Sequence, residues 1–272
     1  MYLCDSHTHS LFSHDTDADL DEMCAAAISA GMDELCVTDH FDANLITDDD
    51  PIYEPDKAEP AIRTIAEKYA GRLTVTYGLE LGEPHELPEY TEALLSSGHR
   101  FDYIIGSLHN LKGAPDFYCV DFRSMSDDEI DKTYDSYIEQ TLEMIEYGGF
   151  MSLGHFGYPL RIIYGKGRTI DLSRHEPGTE KVLSEIISRD IALEINTCTL
   201  RMELGSVTPV PSVIEKYFSM GGRRITIGSD AHDPDRIGYA VADTQKALYD
   251  MGFREITVYH GGRPEQRKIS FD

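Results

Sequence analysis

The feature of this chain that most limits its fold is the alternation of short apolar runs with longer amphipathic stretches. Strands are predicted at residues 2–4, 34–38, 73–79, 103–106, 151–153, 191–195, 224–227 and 256–259. Helices are predicted at residues 20–28, 55–70, 89–97, 127–147, 211–220 and 240–251. Strands that alternate with helices indicate an α/β fold in which helices cover a parallel sheet. No linker or low-complexity tract divides the chain, so a single domain over residues 1–272 is predicted.

Two of these helices carry recognisable end signals. Ser126 can cap the longest helix, because Glu129 lies three residues further on and completes a capping box. Gly148 and Gly149 then end that helix, and Gly31 ends the first one, since glycine readily adopts the left-handed conformation found at helix ends.

Composition narrows the class of protein. The 272 residues include 49 acidic and 24 basic side chains, a formal charge of −25, and 41% are hydrophobic, which is enough for a large core. No apolar run reaches the ~18 residues of a membrane span. The N-terminus lacks the basic and apolar segments of a secretory signal. The acidic balance argues against a nucleic-acid partner, whose phosphates are held by Lys and Arg.

The five cysteines are scattered along the chain and form no Cys-x-x-Cys pair. This spacing indicates neither a disulfide framework nor a thiolate zinc site. Buried free thiols in a reducing cytoplasm are therefore expected at Cys4, Cys24, Cys36, Cys119 and Cys198.

Side chains of the metal-binding type recur at the ends of the predicted strands. They are His7 and His9 after the first strand, His40 after the second, Glu80 after the third, His109 after the fourth, His155 after the fifth, and Asp230 and His232 after the seventh. Barrel enzymes build their active sites at the carboxyl ends of the strands, so this distribution predicts one shared site.

The spacing of these residues favours metal binding. Residues i and i+2 of an extended segment point to the same side, so His7 and His9 can converge on one ion. Asp230 and His232 repeat this spacing with a carboxylate and an imidazole. Such a histidine-rich set suits Zn²⁺, Fe²⁺ or Mn²⁺, whereas Mg²⁺ and Ca²⁺ prefer oxygen ligands. Asp39 is expected to orient a ligand rather than to act as an acid.

The segments HTHS, TDHFD, GLELG, GSLH, GHFG and GSDAH, in this order, resemble the polymerase-and-histidinol-phosphatase (PHP) superfamily over nearly the whole chain. The resemblance implies a distorted (β/α)7 TIM-like barrel with three divalent metal ions at the carboxyl ends of its strands. By the same resemblance, the first ion is held by His7, His9, Glu80 and Asp230, the second by Glu80 as a bridge with His109 and His155, and the third by His14, His40 and His232. Asp15 and Asp17 are alternatives to His14, because His14 lies in a loop.

A centre of this kind would be locally positive within a chain of charge −25 and would therefore attract a phosphate. A water bridging two ions would be the nucleophile for in-line attack at phosphorus. The ions would also stabilise the charge on the phosphoryl oxygens in the transition state.

Two arginines match those with which the histidinol-phosphatase branch of this superfamily grips a terminal phosphate. Arg161 follows the fifth strand and Arg201 the sixth, so both are expected on the rim that carries the metals. A guanidinium group meets phosphate oxygens with two parallel hydrogen bonds. That branch also resembles this chain in its length and in a long insertion between the fifth and sixth strands, at residues 158–179.

These observations predict a metal-dependent phosphomonoesterase that converts L-histidinol phosphate, a small phosphorylated metabolite, to L-histidinol in histidine biosynthesis. The alternatives are a phosphatase of another small phosphomonoester, a phosphodiesterase or exonuclease of the same superfamily, and a non-enzymatic accessory domain. The acidic surface and the paired arginines argue against a phosphodiesterase or exonuclease. The complete ligand set argues against a non-enzymatic domain. Glu83 and Asp116 are weaker candidates for binding the substrate's ammonium group, and His85 for another contact with it.

Overall fold

A computed structural model describes residues 1–42 and 53–271. The strands in these residues are β1 (Cys4–Thr8), β2 (Glu34–Val37), β3 (His40–Asp42), β4 (Thr74–Gly82), β5 (Tyr103–Ser107), β6 (Ser152–Leu153), β7 (Ala192–Asn196), β8 (Ile225–Gly228), β9 (Glu255–His260) and β10 (Arg263–Lys268). The α-helices are α1 (Leu20–Ser29), α2 (Pro55–Tyr69), α3 (Pro88–Leu95), α4 (Asp127–Tyr147), α5 (Tyr158–Gly165), α6 (Glu176–Ser188), α7 (Pro211–Ser219) and α8 (Val241–Met251).

Seven parallel strands form a nearly closed barrel in the order β1-β2-β4-β5-β6-β7-β8. The two ends of this sheet meet where Thr8 forms a parallel bridge with Ala231, just after β8. Asp5 reinforces the junction, because its carboxylate accepts hydrogen bonds from the backbone N–H and hydroxyl of Ser229 at 2.8 and 2.6 Å. The predicted α/β barrel is therefore confirmed. No helix in residues 1–42 or 53–271 is long and apolar enough to cross a membrane.

The short strand β3 places one predicted ligand beside another. β2 pairs with the first half of β4, and β3 pairs with its second half in parallel register, with His40 opposite Glu80. The two strands are thus equivalent to one strand that is interrupted at Thr38 and Asp39. The interruption changes the direction of the chain at the carboxyl end of the barrel.

Helix α4 forms over the predicted residues, and the capping box is present. The Ser126 hydroxyl accepts from the backbone N–H of Glu129 at 3.3 Å, and the Glu129 carboxylate accepts from the backbone N–H of Ser126 at 2.7 Å. The helix ends at Tyr147, followed by Gly148 with a φ of 80°. Both halves of the predicted capping box are therefore present at the start of α4, and a glycine follows its last residue.

Several sequence-based boundaries were wrong. β1 covers residues 4–8 rather than 2–4, so His7 lies within the strand, and β4 continues to Gly82, so Glu80 also lies within its strand. These strand ends were missed because they contain polar residues. All five residues of β1 are buried, although four of them are polar or titratable. The predicted insertion at residues 158–179 contains α5 and the start of α6. Cys119 is exposed, whereas the other four cysteines are buried as expected.

The last predicted strand does not belong to the barrel. β9 pairs antiparallel with β10, which the sequence analysis missed because its residues are polar and mostly exposed. This hairpin packs on the amino-terminal end of the barrel, where the Tyr259 hydroxyl donates to the carbonyl of Met151 at 3.1 Å and the Gly261 N–H donates to Asp102 at 2.8 Å. It closes the end opposite to the predicted site.

The hairpin predicts a pH dependence of stability. His260 lies 3.2 Å from a carboxylate oxygen of Glu34 and 3.0 Å from one of Glu265, and the hydrogen bond to Glu34 outweighs burial and raises the pKa of His260 to about 9. A histidine whose pKa is raised on folding stabilises the protein fully below its unfolded pKa of about 6.5, and that contribution is lost as the pH rises through its folded pKa. The free energy of unfolding, measured in urea, should therefore fall more steeply between pH 6.5 and 9 in the wild type than in His260→Gln. Parallel curves would contradict this role.

Candidate metal centre

A cavity of about 420 Å³ opens at the carboxyl end of the barrel. The predicted site residues that line it are His14, His40, Glu80, His109, His155, Arg161, Asp230 and His232. It is also lined by Asp15, Asp42, Asp116, Tyr118, Cys119 and Tyr158. His7 and His9 are fully buried against Glu80 and Asp230. The volume is in the range of small-molecule sites.

The first group of side chains converges around the Nε2 atoms of His7 and His9, which lie 3.0 Å apart. Oε2 of Glu80 is 3.0 Å from His7 Nε2 and 3.3 Å from His9 Nε2, and Oδ1 of Asp230 is 3.4 Å from His9 Nε2. Ligands about 2.1 Å from a tetrahedral ion are about 3.4 Å from one another. The spacing of these atoms is therefore close to that of ligands sharing one ion.

Hydrogen bonds to Nδ1 of these two histidines leave Nε2 as the atom that each ring can offer to a metal ion. Nδ1 of His7 lies 2.5 Å from Glu194, which can only accept as a carboxylate, so Nδ1 carries the proton. The Ser13 hydroxyl donates to Asp39 at 3.0 Å, so it accepts the proton of His9 Nδ1 at 3.1 Å. Asp39 thus orients a predicted ligand through Ser13. In each ring, Nε2 is therefore the atom that faces the cluster and that a metal ion would bind.

Glu80 faces a second group with its other oxygen. Oε1 lies 3.2 Å from Nε2 of His109 and 2.8 Å from Nε2 of His155, and these two nitrogens are 3.4 Å apart. Together with the contacts of Oε2, one carboxylate thus lies between two sets of imidazoles. This is the geometry that a carboxylate bridging two ions requires.

A third group lies nearer the mouth of the cavity. The ring of His9 stacks against those of His40 and His232, with centroids 4.3 and 4.1 Å away, and one atom from each of the three residues lies close enough to share an ion. Oδ2 of Asp15 is 2.9 Å from Nε2 of His232 and 3.8 Å from Nε2 of His40. His14 is exposed, and its ring centroid is 5.2 Å from that of His40. Of the two, the Asp15 carboxylate makes the closer contacts with this group.

Two carboxylates that the sequence analysis did not assign to the metal site lie next to His109. Asp42 contacts Nδ1 of both His40 and His109, at 3.3 and 3.5 Å. Glu83 accepts a hydrogen bond from the backbone N–H of His109. Asp42 follows His40 by two residues, the same spacing as in the His7 and His9 pair, so this signal was present in the sequence.

The electrostatics of the site keep Glu80 and Asp230 ionised and His9 neutral. Burial alone would raise the pKa of Glu80, but His7, His40 and His109 outweigh it and hold this pKa well below its usual range. The pKa of Asp230 is lowered in the same way, with His7 the strongest opposing influence. Burial, followed by His232 and His40, lowers the pKa of His9 to about 3, so this imidazole retains its lone pair at neutral pH.

Two of these residues have backbone conformations that are unusual for non-glycine residues. Asp230 has a φ of 53° and His155 a φ of 20°. Such conformations cost about 1–3 kcal/mol each and persist only where surrounding contacts impose them. The N–H of Asp230 donates to the carbonyl of His7 at 2.9 Å, and that of His155 donates to Glu194 at 2.5 Å.

The structure places the two arginines differently. Arg161 lines the cavity, with Nη1 3.5 Å from Oδ2 of Asp230 and Nη2 donating to the Tyr158 hydroxyl at 2.9 Å. Arg201 is not among the residues that line this cavity; its Nη2 lies 3.5 Å from Sγ of Cys198, and its Nη1 is buried without a hydrogen-bond partner among the described residues. Each arginine follows the carboxyl end of a strand, β6 for Arg161 and β7 for Arg201, and of the two Arg161 lines the cavity. Phosphate binding by the pair stays a prediction.

Fold and site together define an α/β-barrel protein with clustered His, Asp and Glu side chains that could hold divalent metal ions. The sequence model of the PHP domain family matches residues 5–198. The chain belongs to this family.

Several proteins of similar length resemble this chain in sequence or in structure. A protein of Thermotoga maritima named "Probable histidinol-phosphatase" is 30% identical over 257 residues, which cover 94% of this chain and 95% of that one. A Clostridium acetobutylicum protein of the same name is 30% identical, with 93% and 95% covered. The crystal structure of the histidinol phosphate phosphatase of Lactococcus lactis, in complex with zinc, L-histidinol and phosphate, superposes with a TM-score of 0.81 at 22% identity, covering 97% and 98%. At 22% identity, this structural similarity supports the assignment of the fold.

The contacts of Glu80 generate a prediction about metal binding. Glu80→Gln replaces one of the two acceptor oxygens by an amide that cannot ligate, so the affinity for Zn²⁺ or Mn²⁺ should fall by at least about tenfold. The far-ultraviolet circular dichroism should stay unchanged, because Glu80 is held by the candidate ligands rather than by the core. Metal titration by calorimetry measures the effect, with Glu89→Gln, an exposed glutamate on α3, as the control. Equal affinities in the wild type and in Glu80→Gln would contradict the bridging position.

Proposed function

We propose that this protein is a metal-dependent phosphomonoesterase that hydrolyses L-histidinol phosphate to L-histidinol and phosphate. The observation that carries the proposal is the position of Arg161 against Asp230, at the edge of the clustered imidazoles and within the same cavity. The names of the relatives from Thermotoga maritima and Clostridium acetobutylicum support the choice of substrate.

We infer that three divalent ions, Zn²⁺, Fe²⁺ or Mn²⁺, occupy the site. The first would be held by His7, His9, Glu80 and Asp230, the second by Glu80, His109 and His155, and the third by His40 and His232 with Asp15 or His14. When bound, such ions polarise phosphoryl oxygens and lower the pKa of a coordinated water. The convergence of the Nε2 atoms of four histidines on the two oxygens of Glu80 supports this assignment.

The chain's own residues would bind and orient the phosphate. Arg161 is held in place by Tyr158, whose ring lies 4.1 Å from the guanidinium carbon and whose hydroxyl accepts from Nη2 at 2.9 Å. Its Nη1 is therefore aimed at the oxygens of Asp230, on the side of the cavity that carries the imidazoles. A guanidinium in that position can hold a terminal phosphate against the ligands and stabilise the charge that develops on it.

The substrate side of the proposal is a small metabolite rather than a polymer. A cavity of about 420 Å³ suits a molecule of that size, and a net charge of −25 opposes binding of a nucleic-acid backbone. We further propose that residues 1–272 act as one domain and that the protein works in the cytoplasm, as a biosynthetic role would require.

The test is a hydrolysis panel with metal-loaded protein, comparing L-histidinol phosphate, an aryl phosphate, a phosphodiester and single-stranded DNA. Arg161→Ala should lower kcat/KM for the monoester by roughly 10²–10³, the scale of a lost transition-state donor. Arg201→Ala is predicted to do the same, through a contact that would form with bound phosphate. Arg189→Ala is the control, since Arg189 pairs with Glu185 on the surface.

The outcomes separate the alternatives. Fastest turnover of a diester or of DNA would replace the proposal by a diesterase. A preference for the aryl phosphate would support monoesterase activity but contradict L-histidinol phosphate as the substrate. If Arg161→Ala and Arg201→Ala both remain within about threefold of the wild type, the phosphate-binding role of these arginines is wrong.

The third ion distinguishes His14 from Asp15. Because Asp15 contacts both His232 and His40, Asp15→Asn should weaken one class of bound Zn²⁺ by about tenfold or more, whereas His14→Ala should change it by less than about threefold. Titration of the metal-free protein with Zn²⁺ measures both variants. The opposite order would assign the ligand to His14.

A further inference from the structure

Glu194, in the middle of β7, has its two carboxylate oxygens on two different candidate ligands. Oε1 lies 2.5 Å from Nδ1 of His7, and Oε2 accepts from the backbone N–H of His155 at 2.5 Å. Glu194 is 1% exposed, so neither oxygen is compensated by bulk water. His7 belongs to the first group of side chains and His155 to the second, so one buried carboxylate reaches both.

We propose that Glu194 is a positioning residue that sets the proton of His7 and the backbone of His155, and so holds two metal-binding groups in one geometry. The proposal rests on the metal binding put forward above, although it does not depend on the identity of the substrate. Its test reads metal affinity rather than turnover.

The contact with His7 fixes which ring nitrogen is available. A carboxylate can only accept, so Nδ1 must carry a proton, and Nε2, 3.0 Å from Oε2 of Glu80, is the nitrogen left to bind a metal ion. A carboxylate behind a metal-binding histidine also makes the imidazole a stronger ligand. Without this acceptor, the proton would be free to move to Nε2 and would block the lone pair.

The contact with His155 stabilises an unusual backbone conformation. The φ of 20° at this residue is unfavourable for a side chain with a Cβ, so a strong hydrogen bond to its N–H offsets part of the cost. Asn196 lies on the same oxygen, with Nδ2 3.5 Å from Oε2. The three groups that contact the carboxylate, from His7, His155 and Asn196, are therefore donors. A side chain with two acceptor oxygens is required to accept from all of them.

The packing around β8 leaves room for this arrangement. A Cβ on Gly228 would lie 2.3 Å from Cβ of His7 and 2.8 Å from Oε1 of Glu194, well inside contact distance. Only glycine lets β8 approach closely enough for the His7 and Glu194 side chains to meet beside it. The same pair is separated by 187 positions in the sequence, so it depends on barrel closure.

Glu194→Gln is the sharpest variant, because it keeps the shape and replaces one acceptor by a donor. The remaining oxygen would serve His155 and Asn196, and the amide would then force the proton of His7 onto Nε2. Glu194→Asp keeps two acceptors on a shorter side chain. Glu34→Gln is the matched control: Glu34 is also 1% exposed and bonded to a histidine, His260, at the other end of the barrel.

The experiment titrates each metal-free protein with Zn²⁺ against a competing chelator and records urea unfolding of the same samples. We expect Glu194→Gln to raise the Kd for zinc by about 10–100-fold and Glu34→Gln to change it by less than about threefold. Glu194→Asp should bind zinc more tightly than Glu194→Gln, because it retains the acceptors.

Each other result is decisive. Zinc affinity within about threefold of the wild type in Glu194→Gln would overturn the positioning role, as would tighter binding by Glu194→Gln than by Glu194→Asp. If both Glu194 variants fail to fold while Glu34→Gln folds, Glu194 holds the barrel rather than the ligands, and the proposal is wrong. A wild-type protein that binds no zinc, iron or manganese would instead contradict the metal centre itself.

Discussion

The carboxylate of Glu80 is the interaction on which the site depends. It is 1% exposed, and its two oxygens face two different sets of imidazole nitrogens at 2.8–3.3 Å. Burying a carboxylate costs several kcal/mol unless opposite charge and hydrogen bonds offset the loss of water. The barrel therefore has to bring cations, or histidines that can carry or bind them, to both oxygens at once. The parallel strands make this possible, because each of them delivers its carboxyl end to the same rim.

The candidate ligands are also held by hydrogen bonds on the side that faces away from the metal-binding cluster. Glu194 accepts from His7 and His155, Ser13 joins His9 to Asp39, and Asp5 secures the turn that precedes Asp230. Glu194 and Asp5 lie within barrel strands, and Asp39 lies between β2 and β3. The β9–β10 hairpin closes the opposite end of the barrel through Met151 and Asp102, so the rim can remain open for a small molecule. Stability and function are thus concentrated at opposite ends of one sheet.

The distribution of charge explains how an acidic protein can act on an anion. The net charge of −25 repels phosphate in general, and five carboxylates line the cavity beside five histidines and Arg161. A local positive charge would come from metal ions held by these residues, together with Arg161. Electrostatic attraction would therefore act at the rim and not over the surface, which favours a small phosphorylated molecule over a polymer that must lie along the surface. The composition of the chain, as well as the names of its relatives, therefore supports the proposed phosphomonoesterase activity.

Short-range patterns in the sequence indicated the alternation of strands and helices and the candidate ligands, and the resemblance to the PHP superfamily implied the barrel and the grouping of those ligands. Alternating strands and helices, the capping box at Ser126 and the spacing of His7 with His9 each need only a few neighbouring residues. The tertiary structure alone decided that Glu194 meets His7, that Asp15 lies closer than His14 to the His40 and His232 pair, and that Arg201 does not line the cavity. It also decided that β10 is a strand, since its polar residues are paired with β9 and not with a buried face. These contacts join residues that strand order and register bring together, and no local pattern contains that information.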